Sequence, residues 1–210
     1  MKRLLAIALV ALTGCGSLDN EPLLVGVIRG QLANTDDTAL VAVVGRDDLV
    51  TRPDAEGRFE LTGVPLGPVD LLVVINALES RRFTVEVGAA SLVELGAIAP
   101  APSAHFELYV RAPGGQRVNG GTVALLGTPL TTRIRGSESE AEFDLPAGCY
   151  EALVTVAGLG TTNVSGCVEE GGRFEQTLTL AAPDGSPGRE GCPVSGCQGV
   201  LVCQADLSCR

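Results

Sequence analysis

Gly57-Arg-Phe59-Glu-Leu61-Thr-Gly-Val64-Pro65-Leu-Gly67-Pro-Val69-Asp70-Leu71, running on into Leu72-Val-Val-Ile75, is the stretch whose reading decides the fold. Apolar residues alternate with polar ones through Phe59 and Leu61, which is the period of a half-buried strand. Pro65 and Gly67 then supply a turn, because proline presets its φ and glycine tolerates positive φ. A second strand starts at Val69. The same grammar returns as Ala141-Glu-Phe143-Asp-Leu145-Pro146-Ala-Gly148-Cys149-Tyr150-Glu151-Ala152, leading into Leu153-Val-Thr-Val156. The shared frame is Phe-acid-Leu, Pro-x-Gly-x, then Val or Tyr and an acid, with three more residues between Leu61 and Pro65 than between Leu145 and Pro146. Phe59, Leu61, Val69, Leu71, Phe143, Leu145 and Tyr150 are the expected inward, core-forming set.

Outward from this repeat the chain reads as strand throughout. Short runs rich in Val, Leu, Thr and Phe, separated by Gly, Pro and Asp, predict strands over 24–29, 40–45, 58–62, 69–75, 82–87 and 92–98. A second series covers 106–111, 122–126, 131–135, 142–145, 150–157, 163–168 and 173–180. Short, regularly spaced strands without a helix-length amphipathic pattern indicate antiparallel sandwiches. The break between the series is Ala99-Pro100-Ala101-Pro102-Ser103, a composition that stiffens into an extended linker. The expected fold is all-β: two tandem seven-stranded sandwiches over 23–98 and 104–181, joined by the Pro/Ala linker 99–103.

The repeated frame resembles the carboxypeptidase regulatory-like, prealbumin-like family of Ig-like seven-stranded β-sandwiches. In that family a Gly-x-Phe strand precedes a Pro-x-Gly turn and a Tyr-x-Leu strand, and Asp54-Ala-Glu56-Gly57 matches the turn before it. The resemblance covers Leu24 to Pro100 and is weaker from His105 to Leu180, where Gly136-Ser-Glu-Ser139 lacks the Asp and the closing Gly. It implies an accessory domain without peptidase chemistry.

At the N-terminus, Lys2 and Arg3 precede an apolar run from Leu4 to Leu12, then Thr13, Gly14 and Cys15. A basic start and a short apolar core make a signal peptide over 1–14, since a spanning helix needs roughly 20 apolar residues. Leu12-Thr13-Gly14-Cys15 resembles the lipobox of bacterial lipoproteins. The resemblance implies cleavage before Cys15, acylation of its thiol, and residues 15–22 as a lipidated tether. Two or more acyl chains anchor stably where one is marginal. Gly16 replaces the Asp that marks inner-membrane retention in Gram-negative sorting, which favours the outer membrane.

Cysteine usage fits an oxidising compartment. Apart from Cys15 there are six: Cys149, Cys167, Cys192, Cys197, Cys203 and Cys209. Cys149 and Cys167 are symmetric about Gly158, so a hairpin over this segment sets them opposite each other, where Cα atoms about 4.5–5.5 Å apart suit a disulfide. Behind the breaker-rich link 182–191, Cys192, Cys197, Cys203 and Cys209 form a four-cysteine module over 192–209. Zinc is the alternative for four thiols, but only the first gap fits a short knuckle. Two local disulfides, replacing a core too small to hold the module, are the expectation.

Charge and residue types narrow the function. Removal of Lys2 and Arg3 with the signal peptide takes the formal charge from −10 to −12, unsuited to nucleic acid. Lys2 is the only lysine, which excludes a mature P-loop, a Schiff-base amine or a Ser-Lys dyad. His105 is the only histidine, a candidate base but more simply a surface residue. Asp36-Asp37, Asp47-Asp48, Asp54 and Glu56 offer acids for calcium without an EF-hand spacing. With no Trp and only Tyr109 and Tyr150, no platform for stacking sugars is evident. The reading is non-enzymatic, with no catalytic, cofactor or metal residue. It is a lipid-anchored envelope protein serving as spacer or interaction module for an envelope or extracellular partner, the alternative being a carbohydrate- or calcium-binding surface protein.

Overall fold

The computed structural model describes residues 25–118 and 120–180. The expected signal peptide, the lipid on Cys15, the link 182–191 and the module containing Cys192, Cys197, Cys203 and Cys209 lie outside the described residues. Fifteen strands and one 3-10 turn, Pro113–Gly115, make up the secondary structure of the described residues. The first seven are β1 (Val25–Gln31), β2 (Leu40–Val43), β3 (Arg46–Thr51), β4 (Arg58–Pro65), β5 (Gly67–Val74), β6 (Glu79–Val87) and β7 (Leu92–Ala97). After the two-residue β8 (Ala101–Pro102) come β9 (Ala104–Arg111), β10 (Thr122–Leu125), β11 (Thr131–Arg133), β12 (Glu140–Leu145), β13 (Gly148–Val156), β14 (Gly160–Val168) and β15 (Arg173–Thr179).

The internal repeat extends to topology. The first sandwich pairs the sheet β4-β1-β7 with the sheet β3-β2-β5-β6, which β8 extends at its end. The second pairs β12-β9-β15 with β11-β10-β13-β14, the same order eight strands on. Not every pair is antiparallel as the sequence indicated: β7 runs parallel to β1, and β15 parallel to β9. In each case the last strand returns beside the first from the opposite sheet, which leaves it pointing the same way.

The alternation that marked the frame holds. Phe59, Leu61, Val69, Leu71, Phe143, Leu145 and Tyr150 are all buried. In the first copy the longer spacing makes a β-bulge. The register slips between Gly26 and Val27, and Gly63 (φ 74°) is the extra residue that returns Val64 to the core. In the second, the row Phe174, Phe106, Phe143 crosses three strands, with Phe106 stacked on Phe174 at 4.6 Å between centroids. β3 was not read from the sequence, because Arg46-Asp47-Asp48 looks like a turn; charges on an edge strand cost nothing and discourage foreign pairing.

The two sandwiches share a seam. Leu40, Ala42, Leu72 and Val74, on the outer face of β2 and β5, belong to the same apolar cluster as the core of the second sandwich. Their neighbours Val41, Val43, Leu71 and Val73 fill the first core. Leu72 and Ala42 are 0% exposed, so this sheet is buried on both faces. Burying the three larger side chains at roughly 1.5–3 kcal/mol each contributes several kcal/mol to the seam. Around it, Gly45 N donates to Gly127 O at 2.7 Å, and the Arg82 guanidinium lies 5.7 Å from the Tyr150 ring centroid. Arg82 is itself fixed by two bonds to Asp70 Oδ2 at 2.8 and 2.6 Å.

The Pro/Ala stretch 99–103 is extended, as its composition implies, yet it is not a free spacer. Ala101 and Pro102 pair with Ser80 and Glu79. Ser103 N donates to Leu78 O at 2.9 Å, and the buried Ser103 and Ser80 hydroxyls meet at 3.0 Å. Proline is tolerated there because its missing N–H would face away from the sheet.

Candidate functional site

The outer face of β12-β9-β15 gathers the groups with most chemical capacity. Because alternate residues face outward, His105, Glu107 and Tyr109 of β9 stand between Glu140, Glu142 and Asp144 of β12 and Arg173 and Glu175 of β15. The register sets Glu142, Glu107 and Glu175 in one row across three strands. Like charges placed directly opposite one another are destabilising, and Arg173 offsets this. Its Nε donates to Glu107 Oε2 at 3.1 Å, its other nitrogen bonds the same oxygen, and it reaches Glu175 at 3.2 Å.

Glu107 is 4% exposed. Hydrogen bonding with Tyr109, and then Arg173, hold its carboxyl below the usual range against the opposing effect of burial. The Tyr109 hydroxyl also lies 3.4 Å from Glu175 Oε1. Its bond with Glu107 pushes its pKa up to about 12, while burial raises that of Tyr150, whose hydroxyl donates to Pro146 O at 2.7 Å.

A folded-state pKa raised above the ordinary value of about 10 favours the neutral phenol. The stability this confers on Tyr109 is present below pH ~10 and is lost as pH rises through about 12. With two tyrosines and no tryptophan, alkaline absorbance titration reads this directly. The folded protein is expected to show a Tyr109 phenolate step near 12, identified by its loss in Tyr109→Phe; a step lost in that variant that lay near 10 would contradict the geometry.

His105 lies opposite Asp144 in the register, its Nδ1 2.6 Å from Asp144 Oδ1, and its side chain is 57% exposed. A cavity of about 270 Å3 adjoins the pair. Its other walls are Phe106, Glu107, Glu142, Phe143 and Arg173, none of which carries a hydroxyl or thiol. A base and its orienting acid are present, and among the described residues that line the cavity there is no hydroxyl or thiol nucleophile beside them.

Glu107, Glu140 and Glu142 place carboxylate oxygens within 4.8 Å of one another, the spacing of a cation site. Sequence reasoning passed over them, because Glu107 stands on β9 and Glu140 and Glu142 on β12, and only the register unites the two strands. Glu107 is already neutralised by Arg173, so a cation would compete with a short, partly buried ion pair.

The acids singled out from the sequence do not converge. Asp36 accepts from the amide and hydroxyl of Thr38 at 2.8 and 2.5 Å. Asp48 is paired with Arg46, its two carboxylate oxygens each accepting at 2.9 Å. Asp54 closes its turn by accepting from Glu56 N and Arg58 N at 3.0 and 2.8 Å, and Glu56 binds Arg58 at 2.9 Å. A cleft of about 510 Å3 opens beside that turn, between the 31–35 loop and Ile98, with Glu56 the one acid among its described lining residues. Cys149 and Cys167 face each other in the β13–β14 ladder and are joined by a disulfide.

No family model and no curated protein matches the chain. Among solved structures it resembles the Bacillus anthracis TIE protein, with 15% identity over 74% of this chain and 34% of that one and a TM-score of 0.33. It also resembles the minor pilin of Streptococcus agalactiae (11% identity, 78% and 100% of the two chains, TM-score 0.32). A third is the shaft pilin SpaA of Lactobacillus rhamnosus GG (8% identity, 77% and 99%, TM-score 0.30). The chain spans about a third of the TIE protein, and 26% of a similar leucine-rich repeat protein from Bacteroides thetaiotaomicron. Likenesses of this size fix neither a fold nor a function.

Proposed function

We propose that this chain is a non-catalytic lipoprotein of the bacterial cell envelope, anchored through Cys15, whose two carboxypeptidase regulatory-like sandwiches act together as a stiff spacer and interaction module. The observation that carries the reading is the apolar seam through Leu40, Ala42, Leu72 and Val74. A ligand-binding pair of domains gains from a cleft between them, whereas here that space is filled with side chains. The polar face agrees with this, since His105 is paired with Asp144 and Glu107 with Arg173 instead of facing an open reacting position. In this reading Cys192, Cys197, Cys203 and Cys209 form two disulfides at the far end, and outer-membrane placement follows from Gly16.

A second reading, a calcium-binding surface protein, is favoured by one observation, the three carboxylates Glu107, Glu140 and Glu142. Arg173 argues for the first. The test is extraction of the protein from its native membrane, followed by intact mass, non-reducing peptide mapping, calcium titration and protease treatment of whole cells. The expected result is a lipid-sized mass on Cys15, no free thiol, no saturable calcium binding and cleavage by external protease. An unlipidated Cys15 would remove the anchor, and a hydrolytic activity abolished by His105→Ala would overturn the absence of catalysis.

A further inference from the structure

β14 and β6 occupy the same place in the two sandwiches, and both are nine residues long. Their edges differ. β6 carries Glu79, Arg81, Arg82 and Glu86 and is overlaid by β8 at its first two residues. β14 reads Gly-Thr-Thr-Asn-Val-Ser-Gly-Cys-Val, with neither charge nor proline, and stands at the end of its sheet. Among the described residues every other edge strand of more than two residues contains Arg, Asp or Glu. Charges, prolines and covering segments are how proteins block pairing at an edge, and among the described residues β14 has none of these.

The backbone groups offered there follow from the ladder. The Cα atoms of Cys149 and Cys167 are 3.9 Å apart, which marks the closely spaced, non-hydrogen-bonded kind of pair. Thr161, Asn163 and Ser165 share that phase with Cys167, so their N–H and C=O groups point away from β13. The partner strand agrees: the carbonyl of Glu151, opposite Ser165, turns the other way and accepts from Leu126 N at 2.8 Å. All four residues also expose their side chains. The edge is held straight by the disulfide on one side and by Phe174, whose ring packs beneath Gly166 where a Cβ would meet it at 2.4 Å.

We propose that the occupant of this edge is β14 of a second copy, running antiparallel about a two-fold axis at Val164; the proposal rests on the interaction-module reading and names its partner. With that axis all nine residues pair, and the four outward-pointing backbone positions meet only one another: Asn163 faces Ser165 of the second copy, and Thr161 faces Cys167. The Asn163 amide on one copy thus meets the Ser165 hydroxyl on the other, the Thr161 hydroxyl meets the disulfide-bonded Cys167, and the two sheets join into one of eight strands. The chain's formal charge is −10, so an approach that sets no carboxylate opposite another is the one two copies can use.

The test is native mass spectrometry of the full-length chain in detergent, with amide exchange across β14. Wild type is expected as a dimer with slowed exchange at Thr161, Asn163, Ser165 and Cys167. Asn163→Lys with Ser165→Lys sets lysine against lysine and abolishes the dimer peak; Asn163→Glu with Ser165→Glu does the same. Mixing the two variants restores a mixed dimer, which misfolded chains would not form. A wild-type monomer, or a dimer indifferent to these substitutions, overturns the pairing. Membrane placement does not enter the readout, so either result leaves the anchoring reading to its own test.

Discussion

Leu72→Ala is expected to lower the stability of the chain by about 2–5 kcal/mol, the range for truncating a leucine that cannot be replaced by collapse of its surroundings, and to split one unfolding transition into two. Leu72 is fully buried yet lies on the outer face of its sheet, in the cluster that continues into the second sandwich. A cavity there weakens the seam before it weakens either core. The frame supplies the control. Leu153 holds the equivalent position on β13, where that face is only partly covered, so Leu153→Ala should cost clearly less and leave the transition single. Calorimetry of both variants decides the matter; equal losses would mean that the seam contributes nothing.

Removing the disulfide comes next in size. Cys149 and Cys167 close a loop with a sequence separation of 18, and in the chain-entropy account a loop of that length is worth about 3 kcal/mol. For a chain of this size the loss corresponds to roughly 6–12 °C in Tm. Cys149→Ser with Cys167→Ser, followed by thermal denaturation, measures it. Both cysteines are exposed, so no core is disturbed and the entropic contribution stands nearly alone. The same variant should speed amide exchange along β14, because the hairpin β13–β14 loses its clamp at the open end. Unchanged Tm and exchange would show that the ladder alone fixes this edge.

The sequence showed most of the strands because their cores alternate. Phe59, Leu61, Phe143 and Leu145 could be placed inward on period alone, and the symmetry of Cys149 and Cys167 about Gly158 located their hairpin before any contact was known. The seam is legible too: Leu71-Leu72-Val73-Val74-Ile75 is continuously apolar, whereas its counterpart Ala152-Leu153-Val154-Thr155-Val156 is broken by Thr155 at the position of Val74. A strand buried on both faces loses its period, and that contrast between two copies of one frame marks the covered sheet. β3 escaped notice because its charges belong to an edge. The row Glu142, Glu107, Glu175 had no sequence signature, since cross-strand register joins residues that lie tens of positions apart.

A filled seam makes the two sandwiches move as one body, and backbone 15N relaxation tests this most directly. One rotational diffusion tensor should fit amides from β1 to β7 and from β9 to β15 together, with no slower or faster group on either side of Ala101–Pro102. Two separate tensors, one for each sandwich, would mean that the seam is open in solution and that the chain is a hinged pair instead of a stiff spacer.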